Sequence, residues 1–281
     1  MKNFIAVFDG YKMSKSTLSY AVHLSKASDA VLTGVFLDAF FYHNYNLKNV
    51  LKQQPDSGEV IEALQEKDRK QRDLSVLEFQ KACSEAGVRY AIHRDENLPV
   101  QELRYESMFA DLIVINEHET FSRSPESDLY EFIDALLAQT YCPVLVVPDV
   151  FSPLQQLVFL YDGSPSSIFS IKMFGYLFSR LSDLPVTVLT VNEADAEELY
   201  LPENLQIRSL IDRLFSNVSY QVLKGSAKEQ ILSGVGKESG KLVLLGAYRL
   251  DMVTGLFTEG IADRLLEIRD MPVFIPPKSC A

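Results

Sequence analysis

Gly246, with a second glycine at Gly255 and a hydroxyl at Thr258, has the makings of a chemical site. It closes the short apolar run Lys241–Leu245 and precedes a helical pattern from about Thr258 to Ile268, in which Ile261, Leu265 and Ile268 share a face. Val273–Ile275 is a further apolar run. Strand, glycine loop, helix and strand make a right-handed βαβ unit. Glycines where a parallel strand feeds a helix N-terminus let backbone N–H groups approach an anion, so such a stretch can hold a phosphate or a nucleotide. A second candidate is Asp162-Gly163-Ser164, after the apolar run Leu157–Tyr161; Asp9-Gly10-Tyr11 follows Phe4–Phe8 in the same way. An Asp at such a strand end either contacts a ligand or accepts backbone N–H groups within its own turn. A phosphoacceptor Asp needs acidic neighbours at the same strand end, and Phe8 and Phe159–Tyr161 supply none.

The histidines His23, His43, His93 and His118 lack zinc-motif spacing. His93, Glu117 and His118 fall toward the same side of a sheet, where a polar cluster without a metal is expected. There is no GxGxxG, no P-loop and no GxSxG elbow, and no catalytic constellation. Cys83, Cys142 and Cys280 are far apart and form no CxxC, which reads as reduced thiols, the first two as buried filler. Ser14-Lys15-Ser16, Ser122–Ser124 and Ser166-Ser167 read as helix caps rather than phosphorylation sites.

Elements of one kind of fold must position these residues. Strands are predicted at Phe4–Phe8, Val31–Leu37, Val88–Ile92, Asp111–Ile115 and Pro143–Val147. Helices are predicted over 16–27, 59–86, 99–109 and 125–139. The pattern then restarts, with strands Leu157–Tyr161, Val186–Val191, Val218–Leu223, Lys241–Leu245 and Val273–Ile275 around helices at 166–181, 203–215, 227–238 and 258–268. The pairs Asp9-Gly10 and Asp162-Gly163, VRYAI and VSYQV, DLIVIN and KLVLLG, and PVLVVP and PVFIPP recur in the same order. The spacing shortens in the second copy, so the first carries an insertion at about 40–69. Its aromatic start, Ala39–Asn46, is expected to pack onto its own core rather than form a partner surface. The expected domains are 1–150 and 151–281, meeting near Ser152-Pro153. The fold class is α/β, with two tandem doubly wound parallel five-stranded sheets, Rossmann-like, in strand order 3-2-1-4-5. The near-continuous apolar strands suit sheets covered on both faces.

The net charge of −11 and pI near 4.9 offer no bulk attraction for nucleic acid or an anionic membrane. The early apolar run is too short for a signal-peptide core and ends at Asp9, and no run reaches membrane-spanning length. A cytoplasmic protein is expected.

On VFLYDGSPSS, VLKGSAKEQIL, LVLLGA and GIADRLLEIRDMPVFIPP, with PVLVVP earlier, the chain resembles the universal stress protein family in its tandem form, over essentially its whole length. ATP-binding members carry Gly, two residues, Gly, nine residues, then Gly and Ser or Thr. On this sequence those positions are Gly246, Arg249 and Glu259-Gly260; in the first copy they are Asn116, Glu119, Leu129 and Tyr130. The resemblance implies ligand contacts at Asp162, Gly163, Ser164, Val191, Gly246, Arg249 and Gly260, and no catalytic or metal-binding residue. Glu259 works against a phosphate: like charges ~4 Å apart cost roughly 1 kcal/mol in water and about 4 at intermediate dielectric. The expected function is therefore a non-enzymatic, stress-linked binding or regulatory module without a cofactor. The alternatives are an ATP- or AMP-binding switch acting through the second domain, with weak or no hydrolysis, and a binder of another small ligand such as a lipid or nucleoside. The domains are expected to pair as an intramolecular pseudo-dimer through Val144–Val147 and Val273–Ile275, because those apolar edges need cover. Homodimerisation and an unidentified protein partner are the further associations considered.

Overall fold

The computed structural model describes residues 1–9, 12–37, 58–95, 99–119, 129–192, 194–236, 238–246 and 270–277. The first half contains β1 (Asn3–Asp9), α1 (Lys15–Ser28), β2 (Val31–Leu37), α2 (Gly58–Ala86), β3 (Tyr90–Asp95), α3 (Pro99–Ser107), β4 (Leu112–Asn116), α4 (Leu129–Gln139) and β5 (Val144–Val147). The second contains β6 (Gln156–Leu160), α5 (Pro165–Leu177), β7 (Val186–Asn192), α6 (Asn204–Ile211), β8 (Val218–Lys224), α7 (Ala227–Val235), β9 (Lys241–Leu244) and β10 (Val273–Ile275). The aromatic segment 39–46 and the helix expected at 258–268 lie outside the described residues. What is described of the 40–69 insertion is the start of α2, a 29-residue helix whose counterpart α6 has 8 residues.

Strand order in the first half is 3-2-1-4-5, with parallel pairing throughout. The second half has the same order read from the other side, also parallel. The two are not separate sheets. β5 and β10 pair antiparallel, Val144 with Ile275, Leu145 with Phe274 and Val146 with Val273, giving one ten-stranded sheet. Reversed order and direction relate the halves by an approximate two-fold axis normal to the sheet, so the carboxyl ends of β1 and β4 emerge at the edge opposite those of β6 and β9.

Successive strand residues point to opposite faces. Phe4, Ala6 and Phe8 of β1 pack on one side with α1, α2, α5 and α6; Ile5 and Val7 pack on the other with α3, α4 and α7. Each layer runs through both halves. On the first face Phe4 meets Phe178 at a ring distance of 5.7 Å, and Phe178 packs in turn at a tilt against Phe174, which lies 5.3 Å from Phe274. The link between halves is held as well: Phe151 packs edge-on against Tyr20, whose hydroxyl accepts the Ser152 N–H at 3.2 Å.

Several element boundaries differ from expectation for local reasons. β3 starts at Tyr90 rather than Val88, because the Val88 N–H is spent on the Cys83 carbonyl as α2 ends. The helix expected over 166–181 stops at Leu177 and continues after Phe178 as a single 3-10 turn, Ser179–Leu181. α7 stops at Val235, where Gly236 takes a positive φ.

Candidate functional site

The switch point of each half lies between its first and fourth strands, at their carboxyl ends. In the second half this is where β6 and β9 deliver the chain to Asp162-Gly163-Ser164 and to Gly246. Ser164 caps α5, its hydroxyl accepting the Ser167 N–H at 3.2 Å. Asp162 is engaged within this turn: one carboxylate oxygen accepts the Ser164 N–H at 2.9 Å and the Ser167 hydroxyl at 2.8 Å. Gly163 has φ +81°, and a Cβ there would stand 2.6 Å from Cβ of Pro202. Gly246 is tight for a different reason: its Cβ would lie 3.1 Å from both Ser166 Oγ and the Ser167 nitrogen. The strand end thus lies directly against the first turn of α5.

A segment after β7 covers the same corner. The Tyr161 hydroxyl donates to the Pro202 carbonyl at 3.1 Å, and Asn192 exchanges two hydrogen bonds with the backbone of Tyr200. Burial, helped by the nearby Glu203 and Asp162 carboxylates, pushes the Tyr161 phenol up, which keeps it a neutral donor. Val191 is half-buried on the adjacent strand β7, in register with Leu223. Asp162, Gly163, Ser164 and Gly246 therefore gather at the start of α5, with Val191 one strand away. Arg249 and Gly260, like Gly255, Thr258 and Glu259, lie outside the described residues.

The first-half switch point is built differently. Asn116, where the second half has Gly246, is 5% exposed and carries an amide that is fully used. It donates to the Val147 carbonyl at 3.3 Å and to Asp149 Oδ1 at 3.1 Å, and accepts the His118 N–H at 2.9 Å. His118 Nδ1 lies 3.2 Å from Asp149 Oδ2 and 3.9 Å from Glu117. Burial raises the Asp149 carboxyl, but hydrogen bonds from His118 and Asn116 and the charges of His118 and Lys12 outweigh it and hold it below its ordinary value. Asp9, 7% exposed, ends β1 beside this network. Sequence reasoning missed Asp149. The available signal was its place just past the fifth strand, since parallel neighbours bring residues beyond β4 and β5 side by side.

His93 does not join His118 and Glu117. β3 and β4 are three strand positions apart, roughly 14 Å at ~4.8 Å per strand. His93 instead faces α3, with Nδ1 2.5 Å from Glu106 Oε1 and Glu102 close by.

The comparisons extend this picture. No family model matches the sequence. The universal stress protein Slr1230 from Synechocystis sp. PCC 6803 is 22% identical over 163 residues, spanning 58% of this chain and 56% of the relative, so the match covers about half of the curated relative's length. A universal stress protein from Archaeoglobus fulgidus DSM 4304 superposes with a TM-score of 0.63 at 13% identity, covering 98% of both chains. The chain shares the fold of the universal stress proteins and is similar in sequence to one of them. A provisionally assigned universal stress protein from Pseudomonas aeruginosa UCBPP-PA14 shares the fold at a TM-score of 0.59 and 13% identity, over 100% of this chain and 95% of that one. Within this universal-stress-type frame, the strand order 3-2-1-4-5 is that of the family's Rossmann-like fold. Among the described residues, no helix is long and apolar enough to cross a membrane.

Proposed function

We propose that this chain is a non-enzymatic, tandem universal-stress-type module that acts by binding and regulation rather than by turnover of ATP. The observation that carries the reading is the state of the two switch points. In the first half, Asn116 replaces a glycine and is tied to Asp149 and His118. In the second, one oxygen of the Asp162 carboxylate that would meet a nucleoside is already engaged by Ser164 and Ser167. The sequence adds Glu259-Gly260 in place of the glycine–hydroxyl pair, while Arg249, in place of the second glycine, works the other way because its charge can pair with a phosphate. Losing a donor to a charged phosphate oxygen removes about 1.5–3 kcal/mol, enough with the added carboxylate to erase micromolar affinity. Units 1–150 and 151–281 are the two modules. The net charge of −11 and the separately buried thiols of Cys83 and Cys142 go with a cytoplasmic setting away from nucleic acid and membranes.

A nucleotide-binding switch working through the second half is the competing reading, and Gly246 favours it. Its close approach to the α5 N-terminus leaves backbone N–H groups near a strand end, as a phosphate site requires. Isothermal titration of the full chain with ATP, ADP and AMP separates the two readings. Absence of saturable binding supports the first; tight ATP binding lost in Gly246→Val supports the second.

A further inference from the structure

We propose that His93, Glu102 and Glu106 form a binding site for one divalent transition-metal cation, with Zn2+ as its type ligand. The site is independent of the nucleotide question and sits at the outer edge of the sheet, where β3 is the terminal strand. One donor atom from each residue lies within 4.8 Å of the other two, and all three residues are partly buried. Local geometry makes the convergence. Glu102 and Glu106 are four apart on α3 and so share a helix face. His93 comes from the middle of β3, paired with Val35, and turns its Nδ1 to that face. The Glu106 side chain is only 16% exposed, so its carboxylate is held where bulk water screens it poorly.

The donor set specifies the class of ion. One neutral imidazole nitrogen and two carboxylate oxygens balance a double positive charge, which a proton on His93 would do only by half. Imidazole is a poor ligand for Ca2+ and Mg2+, and the absence of a thiolate turns away the softest ions, which leaves Zn2+ and its first-row neighbours. Three protein ligands leave at least one coordination position for water or an exogenous group. Accommodating the ion requires His93 and Glu106 to part from 2.5 Å to about 3.4 Å, the separation of two tetrahedral ligands with bonds of ~2.1 Å. His93 is 38% exposed and has room to turn. A bound ion would clamp the edge strand β3 to α3, so metal loading and stability of the chain should be linked.

The test is competition for Zn2+ between the full chain and a chromophoric chelator, with Co2+ absorption as a second readout. The proposal expects one equivalent of Zn2+ bound and a rise in the melting midpoint on loading. His93→Ala, Glu102→Gln and Glu106→Gln should each weaken binding by about tenfold or more, while His118→Ala, in the other imidazole–carboxylate cluster, leaves it unchanged. The Co2+ spectrum should lack thiolate charge-transfer bands. Glu102→Gln is the most conservative of the three changes and keeps the test valid if another variant misfolds. No saturable binding, binding unmoved by His93→Ala and Glu102→Gln, loss on His118→Ala instead, or a thiolate band in the Co2+ form would each overturn the site.

Discussion

The Asn116 amide donates to the Asp149 carboxylate at 3.1 Å, binding the end of β4 to the segment that leaves β5. The corresponding position in the second half is Gly246, which has no side chain to make such a tie and lies instead against the first turn of α5. The two halves share strand order, and among the described residues α1, α2 and α3 have counterparts in α5, α6 and α7, but the chemistry of their switch points differs. Because β5 and β10 run antiparallel, those points open at opposite edges of the sheet, so one ligand cannot bridge them.

The pH dependence of stability should show two acid steps. Burial lowers the His23 imidazole below 6.5, so the fold favours the neutral ring; that stability is complete above pH 6.5 and is lost as pH falls toward the folded value. Asp149 is depressed below 3.8, so its contribution is complete above that pH and is lost only as pH falls through its folded value. Melting midpoints followed from pH 8 to pH 2 should fall first between pH 6.5 and the folded value of His23. His23→Gln should remove that upper step, and Asp149→Asn should flatten the lower one while leaving the upper in place.

The junction between halves should be energetically central. Phe274 is fully buried, sits opposite Leu145 and packs edge-on against Phe174 at 5.3 Å. Phe274→Ala should cost about 3–5 kcal/mol. Each core layer is continuous across both halves, so urea unfolding should remain a single transition shifted to lower denaturant. Two separate transitions, only one of them shifted, would contradict a shared core.

Gly163→Ala should destabilise by about 1–3 kcal/mol, because an L-residue at φ +81° is strained and its Cβ would overlap Pro202. Thermal melts measure the loss. Near-neutral behaviour would mean that Pro202 moves away from Gly163 without cost.

Cys83 and Cys142 should be inert in the native protein. Burial pushes the Cys83 thiol up to about 11, and burial, with the Asp111 charge added, pushes Cys142 up to about 12. Alkylation at pH 8 followed by mass spectrometry should label neither before denaturant is added and both afterwards.

Much of the frame was legible in the sequence because it depends on local patterns. Val31–Leu37 and Val273–Ile275 begin and end where their apolar runs do. Ser14 caps α1 as its position beside the helix start implies, whereas α5 is capped by Ser164 rather than by Ser166 or Ser167. Lateral placement was not legible. His93 and His118 look equivalent as polar residues near strand ends, yet strand order puts them at different places in the sheet, and only the packing of α3 onto β3 brings Glu102 and Glu106 to His93. The fate of Asp162 was equally hidden, since a ligand-facing carboxylate and a turn-bound one share the same Asp-Gly-Ser sequence. The structure shows one Asp162 oxygen held in the turn by the reach of Ser167 one helical turn on.

The central claim, that neither switch point serves ATP, is tested most directly by isothermal titration of ATP into the full chain at low micromolar protein concentration. The account predicts no saturable heat up to millimolar nucleotide. A stoichiometric isotherm with micromolar affinity, abolished in Gly246→Val while that variant still melts cooperatively, would contradict it.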